Sequence, residues 1–85
     1  MGLEKGYVFN IKDKQYVIIS VVKYNGIDYG FINDVVDGEP ETEKYHIIYI
    51  DNGKLIFLNE EKIANELIPM FQKEITDDLK KNNLI

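Results

Sequence analysis

The side chains that could do chemistry in this sequence are few, and they form no recognisable catalytic motif. The chain has one histidine, His46, and no cysteine, which excludes an imidazole cluster and thiolate metal sites. A serine nucleophile needs a neighbouring base, but Ser20 lies in an apolar strand pattern where its hydroxyl is expected to bond to the backbone. His46 has the pattern of a half-exposed strand residue rather than a general base. We therefore expect no enzymatic activity and no cofactor.

Carboxylates are the most concentrated chemical group of the chain. Residues 37–43 (DGEPETE) carry four of them, at Asp37, Glu39, Glu41 and Glu43. Carboxylate oxygens suit calcium, but an EF-hand loop has its glycine at the sixth position, whereas Gly38 is second here and Pro40 stiffens the middle. We expect a mobile, solvated connection and no metal site.

The net charge of −5 is unevenly placed along the chain. Residues 25–61 carry nine acids against two lysines, a balance of −7, whereas residues 1–24 carry a balance of +2. All ten basic residues are lysine, and arginine is the side chain that makes bidentate contacts to phosphate and guanine. Direct nucleic-acid binding is therefore not expected, and an acidic centre suits a basic protein partner.

The six tyrosines all lie in predicted strands, and tyrosine is enriched at protein interfaces because it buries a large area at low entropy cost. Cross-strand pairing in a small core explains most of them. The others would form an exposed patch that is rimmed by acids. The candidate protein-binding residues are Tyr29, Tyr49, Asp28, Asp34, Asp37, Glu39, Glu41 and Glu43.

Two Asn-Gly pairs, Asn25-Gly26 and Asn52-Gly53, position these side chains. Both residues of such a pair tolerate positive φ, as a two-residue type I′ hairpin turn requires. The apolar and alternating runs around them predict an antiparallel meander of five strands. The strands are expected at about 7–11, 15–24, 27–36, 44–50 and 54–58.

After the last strand the apolar period changes to three and four residues, which predicts an amphipathic helix at about 60–81. Pro69 lies inside it and predicts a kink or a break. The fold class is therefore α+β, as a single domain over residues 1–85 with the helix packed on one face of the sheet. Because the strands are apolar on both faces, the second face must be wrapped by sheet curvature or exposed as an interaction patch.

Residues 24–29 (YNGIDY), the acidic segment and residues 45–49 (YHIIY) together resemble a type of small acidic protein from low-GC Gram-positive bacteria and their phages. Proteins of this type are β-meanders that carry a Tyr-x-Gly-x-x-Tyr hairpin and a C-terminal helix. The resemblance carries no catalytic residue over to this chain. Similar small acidic proteins on mobile elements include inhibitors of host defence nucleases.

The leading hypothesis is a non-enzymatic protein-binding module, an inhibitor or accessory protein whose partner is a basic protein or a second copy of the chain. One alternative is a nucleic-acid mimic that blocks a DNA- or RNA-binding protein such as a defence nuclease. Another is an enzyme or a small-ligand-binding domain with a pocket between the helix and the sheet, which would need a cleft that contains His46 or an acid. No apolar run reaches the roughly 18 residues of a membrane span, and residues 1–5 lack a signal-peptide pattern, so we expect a cytoplasmic protein.

Overall fold

A computed structural model of the protein describes residues 3–81 and has an antiparallel sheet with one helix. The five strands lie in the order β1-β2-β3-β4-β5, and the sheet curls into a half-barrel. Their bounds are Val8–Ile11 (β1), Lys14–Tyr24 (β2), Ile27–Val36 (β3), Glu39–Asp51 (β4) and Lys54–Phe57 (β5), and the helix α1 spans Glu61–Lys81. The predicted α+β meander with a C-terminal helix is confirmed. The outermost residues of the predicted domain, 1–2 and 82–85, lie outside the described residues.

The two Asn-Gly pairs form the predicted hairpin turns. Asn25 and Gly26 have φ values of 52° and 78°, and Asn52 and Gly53 have φ values of 51° and 76°. Positive φ at both central residues matches the right-handed twist of the flanking strands, so each turn fixes the register of its hairpin.

The predicted mobile connection over residues 37–43 is wrong. Asp37 and Gly38 have φ values of 53° and 81° and form a third tight turn of the same kind, so β4 begins at Glu39. Asp-Gly supports a type I′ turn for the same reason as Asn-Gly. The charges do not prevent a strand here because Glu39 and Glu43 extend into solvent.

The helix covers one face of the half-barrel. We infer that this is the convex face, because the opposite face is buried without a helix on it. Leu67 and Phe71 are fully buried, and they pack with Tyr29 and Ile47 of the sheet. The helix is continuous across Pro69, so the alternative of a break into two segments is wrong. Pro69 cannot donate to the carbonyl of Asn65, but both residues are exposed, so water can satisfy that carbonyl.

The concave face is covered by the curvature of the sheet itself. Ile32 and Ile48 have no exposed surface there, and they pack with Tyr16 and Ile18. Leu3 closes over the same cluster, where a Cβ on Gly30 would lie 3.3 Å from the Leu3 side chain. Both faces of the sheet therefore carry a hydrophobic core. The second face is wrapped by curvature of the sheet and is not an exposed interaction patch.

Two side-chain contacts connect the helix to the β1–β2 side of the sheet. The Tyr24 hydroxyl donates a hydrogen bond to the Glu66 carboxylate, and the Lys5 ammonium pairs with Asp78. The hydrogen bond to Glu66 raises the pKa of Tyr24, because ionising the phenol would break it and bring two negative charges together.

Candidate interaction surface

Tyr29 does not lie on an exposed face. It is 5% exposed, on the face that the helix covers, and its ring centroid lies 5.6 Å from that of half-buried Tyr49. Burial raises the pKa of Tyr29, and electrostatic interaction of its phenolate with Tyr49 and Glu60 raises it further. The prediction that Tyr29 forms part of an exposed patch is therefore wrong: the helix covers the face with Tyr29 on it, and the other face is filled by curvature.

The acids predicted to rim Tyr29 lie apart from it. Side chains alternate between faces along β3, so Asp28 and Asp34 lie on the face opposite to Tyr29. Asp28 lies next to the turn at residues 25–26, and Asp34 lies near the other end of the strand. Asp34 is the Cα partner of Glu41, which brings two of the predicted acids together.

β4 is longer than the strand beside it, and this leaves one side of it open. β5 pairs with residues 48–51 of β4, and the Leu58 amide donates to the Ile47 carbonyl at 2.7 Å. Before Ile47, β4 pairs with β3 on one side, and the described chain places no strand on the other. We call residues 39–46 along this open side the outer edge of β4.

The outer edge is acidic and irregular. Glu39 and Glu43 are exposed, Glu41 is partly exposed, and Pro40 has no amide hydrogen to donate. Residues 42–44 form a bulge, because the pairing with β3 passes from Glu41 directly to Tyr45. Charge, proline and a bulge are features that keep a strand edge from pairing freely with another strand. Contacts at this edge are therefore made more readily by its side chains than by a long run of its backbone groups.

Tyr45 is the large side chain of the outer edge, and it is 44% exposed. The Ile47 carbonyl points toward β5, and alternate residues of a strand direct their backbone groups to the same side. The amide and carbonyl of Tyr45 therefore face the open side. Tyr45 was not among the predicted binding residues, although its alternation with Ile47 and Tyr49 and its position next to the acidic segment were visible in the sequence.

Asp34 and His46 form a pair on the concave face. His46 Nε2 lies 3.2 Å from Asp34 Oδ1, and the His46 ring packs at 5.8 Å from Tyr16 and 5.3 Å from Phe57. Although the two atoms are close, Oδ1 is buried and makes no hydrogen bond of acceptable geometry within residues 3–81. The pair is therefore a close contact between a histidine nitrogen and a carboxylate oxygen without a hydrogen bond between the two.

Ser20 cannot act with this pair. It lies opposite Phe31 in the β2–β3 ladder, on the face that the helix covers, whereas His46 lies on the concave face. Its hydroxyl is fully buried without a hydrogen-bond partner in the described chain, so the expected bond to the backbone is absent. An unsatisfied hydroxyl of this kind costs about 1–3 kcal/mol.

A cleft of about 420 Å³ lies between the β1–β2 turn and the end of β3. Its lining has both signs of charge, and it consists of Asp13, Lys14, Gln15, Asp34, Val35, Val36, Asp37 and Lys44. Residues 3–81 contain no group of three acids or histidines with the geometry of a metal site. The cleft can therefore offer charge pairing and hydrogen bonds to a small ligand.

Within the described residues, α1 is not apolar enough to cross a bilayer. Comparison of the chain with protein-family models, with curated proteins and with solved structures found no match.

Proposed function

We propose that this protein is a non-enzymatic binding module that holds a basic segment of another protein at the outer edge of β4. The observation that carries the proposal is the early end of β5, whose last paired residue, Phe57, lies opposite Ile48. The preceding residues of β4 combine an open side with exposed Glu39, Glu43 and Tyr45. Open strand edges bind extended segments of other proteins, and their side chains select the partner.

Charge complementarity selects the kind of partner. The segment from Asp34 to Glu43 contains five acids and no lysine, so a segment rich in lysine or arginine is attracted to it. A second copy of the chain is disfavoured at this edge, because like charges directly opposite each other destabilise paired strands. A basic partner is therefore favoured over a homodimer that forms through β4.

We propose no enzymatic role, and the separation of Ser20 from the Asp34–His46 pair supports this. Ser20 lies on the convex face, and the Asp34–His46 pair lies on the concave face. A hydroxyl nucleophile and its base must be within hydrogen-bond reach of each other. These residues belong to opposite sides of one sheet.

The test is a titration followed by amide chemical shifts, with a short synthetic peptide that alternates arginine and threonine. We expect shift changes concentrated in residues 39–46, and weaker binding when salt rises from about 50 to 500 mM, because the Debye length falls from roughly 14 to 4 Å. A peptide with glutamate in place of arginine is the matched probe. Equal binding of the acidic peptide would contradict the proposal.

Charge-reversal variants locate the surface. We expect the triple variant Glu39→Lys, Glu41→Lys, Glu43→Lys to weaken binding of the arginine peptide at least tenfold. The control reverses the same number of exposed acids elsewhere, as Asp28→Lys, Asp51→Lys, Asp77→Lys, and has the same net charge. Equal losses in the two triple variants would show that overall charge attracts the peptide and that the outer edge is not the site.

The nucleic-acid-mimic hypothesis requires the same basic partner and differs in the shape of its surface. A mimic occupies a groove that otherwise holds a duplex, so duplex DNA would displace it from its partner. An extended basic segment has no such groove. Displacement of the protein from a partner by duplex DNA, and not by the acidic peptide, would favour the mimic.

The cleft favours a second candidate function, the binding of a small ligand. Its volume of about 420 Å³ lies within the range of small-molecule sites, and Lys14, Lys44 and Asp34 offer both signs of charge. A zwitterion such as a free amino acid fits this chemistry. Titration with free amino acids should shift the amides of residues 13–15 and 34–37 if this function is right, and should leave them unchanged if it is wrong.

A further inference from the structure

We propose that the partner segment is anchored by an arginine whose guanidinium stacks on the outward face of the Tyr45 ring. The inference rests on the proposed function, and it names the side chain that the outer edge of β4 selects. It starts from the packing of one exposed aromatic ring.

One face of the Tyr45 ring is occupied and points into the sheet. Its centroid lies 5.0 Å from that of Phe31, and the two rings are nearly parallel, with an interplanar angle of 14°. Phe31 lies on β3, opposite the open side of β4, so the second face of Tyr45 is directed toward the outer edge. The side chain is 44% exposed, which agrees with one covered and one accessible face.

The ring is held in place from the core. Phe31 packs in turn against Phe71 at a centroid distance of 5.3 Å, and Phe71 is fully buried beneath the helix. Three aromatic rings therefore run from the core to the surface. A ring that is already ordered loses little conformational entropy when a partner stacks on it.

The charges around Tyr45 favour a cation at this position. Glu43 is two residues away and exposed, whereas Lys44, the nearest lysine in the chain, lines the cleft beside Asp34. A cation over the ring face is attracted by the aromatic quadrupole, and a carboxylate nearby can accept its hydrogen bonds. Arginine suits the site better than lysine because the guanidinium is planar and less strongly hydrated.

The test compares the arginine–threonine peptide with the same peptide carrying lysine at every arginine position. We expect the parent protein to bind the arginine peptide about two- to fivefold more tightly, the range of an exposed cation–π contact. Tyr45→Phe keeps the ring and should keep the preference. Tyr45→Leu keeps apolar bulk without the ring and should abolish it. Tyr7→Leu changes another exposed tyrosine, next to β1 at the opposite edge of the sheet, and should leave the preference for arginine unchanged.

Urea unfolding of each variant establishes that it is folded before binding is compared. Equal affinities for the two peptides in the parent, or a preference that survives Tyr45→Leu, would overturn the arginine contact. In either case the proposed function stands if the basic peptides still bind at the outer edge and the acidic peptide does not. If no basic peptide binds, both proposals are wrong.

Discussion

The two halves of β4 belong to one strand but have different surroundings. In the inner half, residues 47–51, residues 47–49 pair with β3 and residues 48–51 pair with β5, and Ile47 and Ile48 are buried on opposite faces of the sheet. Residues 39–46 pair with β3 alone, and their side chains include three glutamates and exposed Tyr45. The inner half therefore contributes to both clusters of the core, whereas the outer half presents charge and an aromatic ring to solvent.

This difference separates, within one strand, positions that hold the core together from positions that are exposed to solvent. A chain of this length has little stability to spare, so positions that hold the core together cannot be changed freely. Positions along an open edge can vary at small cost to the fold. Mutations can test this division directly.

The largest effect is expected at the helix that covers the inner half. Phe71→Ala should lower the free energy of unfolding by about 3–5 kcal/mol, because it removes a fully buried ring and leaves a cavity. The matched control is Gln72→Ala, next to it on the exposed side of the helix, which should change stability by less than about 0.5 kcal/mol. Urea denaturation measures both. Equal stabilities of the two variants would mean that the helix does not pack on the sheet.

A slightly smaller effect is expected within β4 itself. Ile48→Ala should cost about 2–5 kcal/mol, because Ile48 has no exposed surface in the concave cluster. Glu43→Ala, in the outer half of the same strand, should cost less than about 0.5 kcal/mol. The pair is measured by urea denaturation. Comparable losses at the two positions would remove the distinction between the halves.

The turn that leads from the inner half into β5 gives a moderate effect. Gly53 has a φ of 76°, which a β-branched residue resists, so Gly53→Val should cost about 1–2 kcal/mol. Gly53→Asn is the control, since asparagine tolerates positive φ better than valine. A thermal melt compares the variants, and a valine variant as stable as the asparagine variant would contradict the assigned turn.

The smallest effect concerns Tyr29, which packs against Tyr49 of the inner half. Its folded pKa lies above its ordinary value of 10.0 because burial disfavours the charged phenolate. The folded state therefore binds the phenol proton of Tyr29 more tightly than the unfolded state does. The contribution of this proton to the free energy of unfolding is full below pH 10 and is lost as the pH rises through the folded pKa.

Unfolding measured in urea between about pH 9 and 11 should show stability falling with pH. The fall should be less steep in Tyr29→Phe, which cannot ionise at this position. Tyr24→Phe is the comparison at the surface, since the pKa of Tyr24 is raised by its hydrogen bond to Glu66. Parallel curves for Tyr29→Phe and the parent would show that Tyr29 does not contribute.

Much of the fold could be predicted because its signals are local. Positive φ at Asn25-Gly26 and Asn52-Gly53 depends on those residues, and the apolar period after Asn59 depends on the helix repeat. Asp37-Gly38 carried the same kind of signal, but the surrounding charges outweighed it in the sequence interpretation. The strand there shows that charge density is a poor guide to backbone conformation when the side chains can reach water.

The surface was less predictable because it depends on where elements end relative to one another. The alternation of Tyr29 with Asp28 is evident in the sequence, but the choice of the face that the helix covers is not. Tyr45 has the same alternation as Tyr49, yet one is exposed and the other half-buried. The difference arises because the partner strand β5 begins at Lys54 and ends at Phe57, next to the inner half only.

The sequence by itself determined the order of the strands, the two Asn-Gly turns, the amphipathic helix and the concentration of acids between residues 25 and 61. Each of these depends on residues close together in the chain, whose conformational preferences act before any long-range packing. The tertiary structure alone decided that curvature fills the concave face, that Tyr29 is buried and that one side of β4 stays open. These outcomes depend on contacts between elements far apart in the chain, whose lengths and curvature determine which groups remain accessible to solvent.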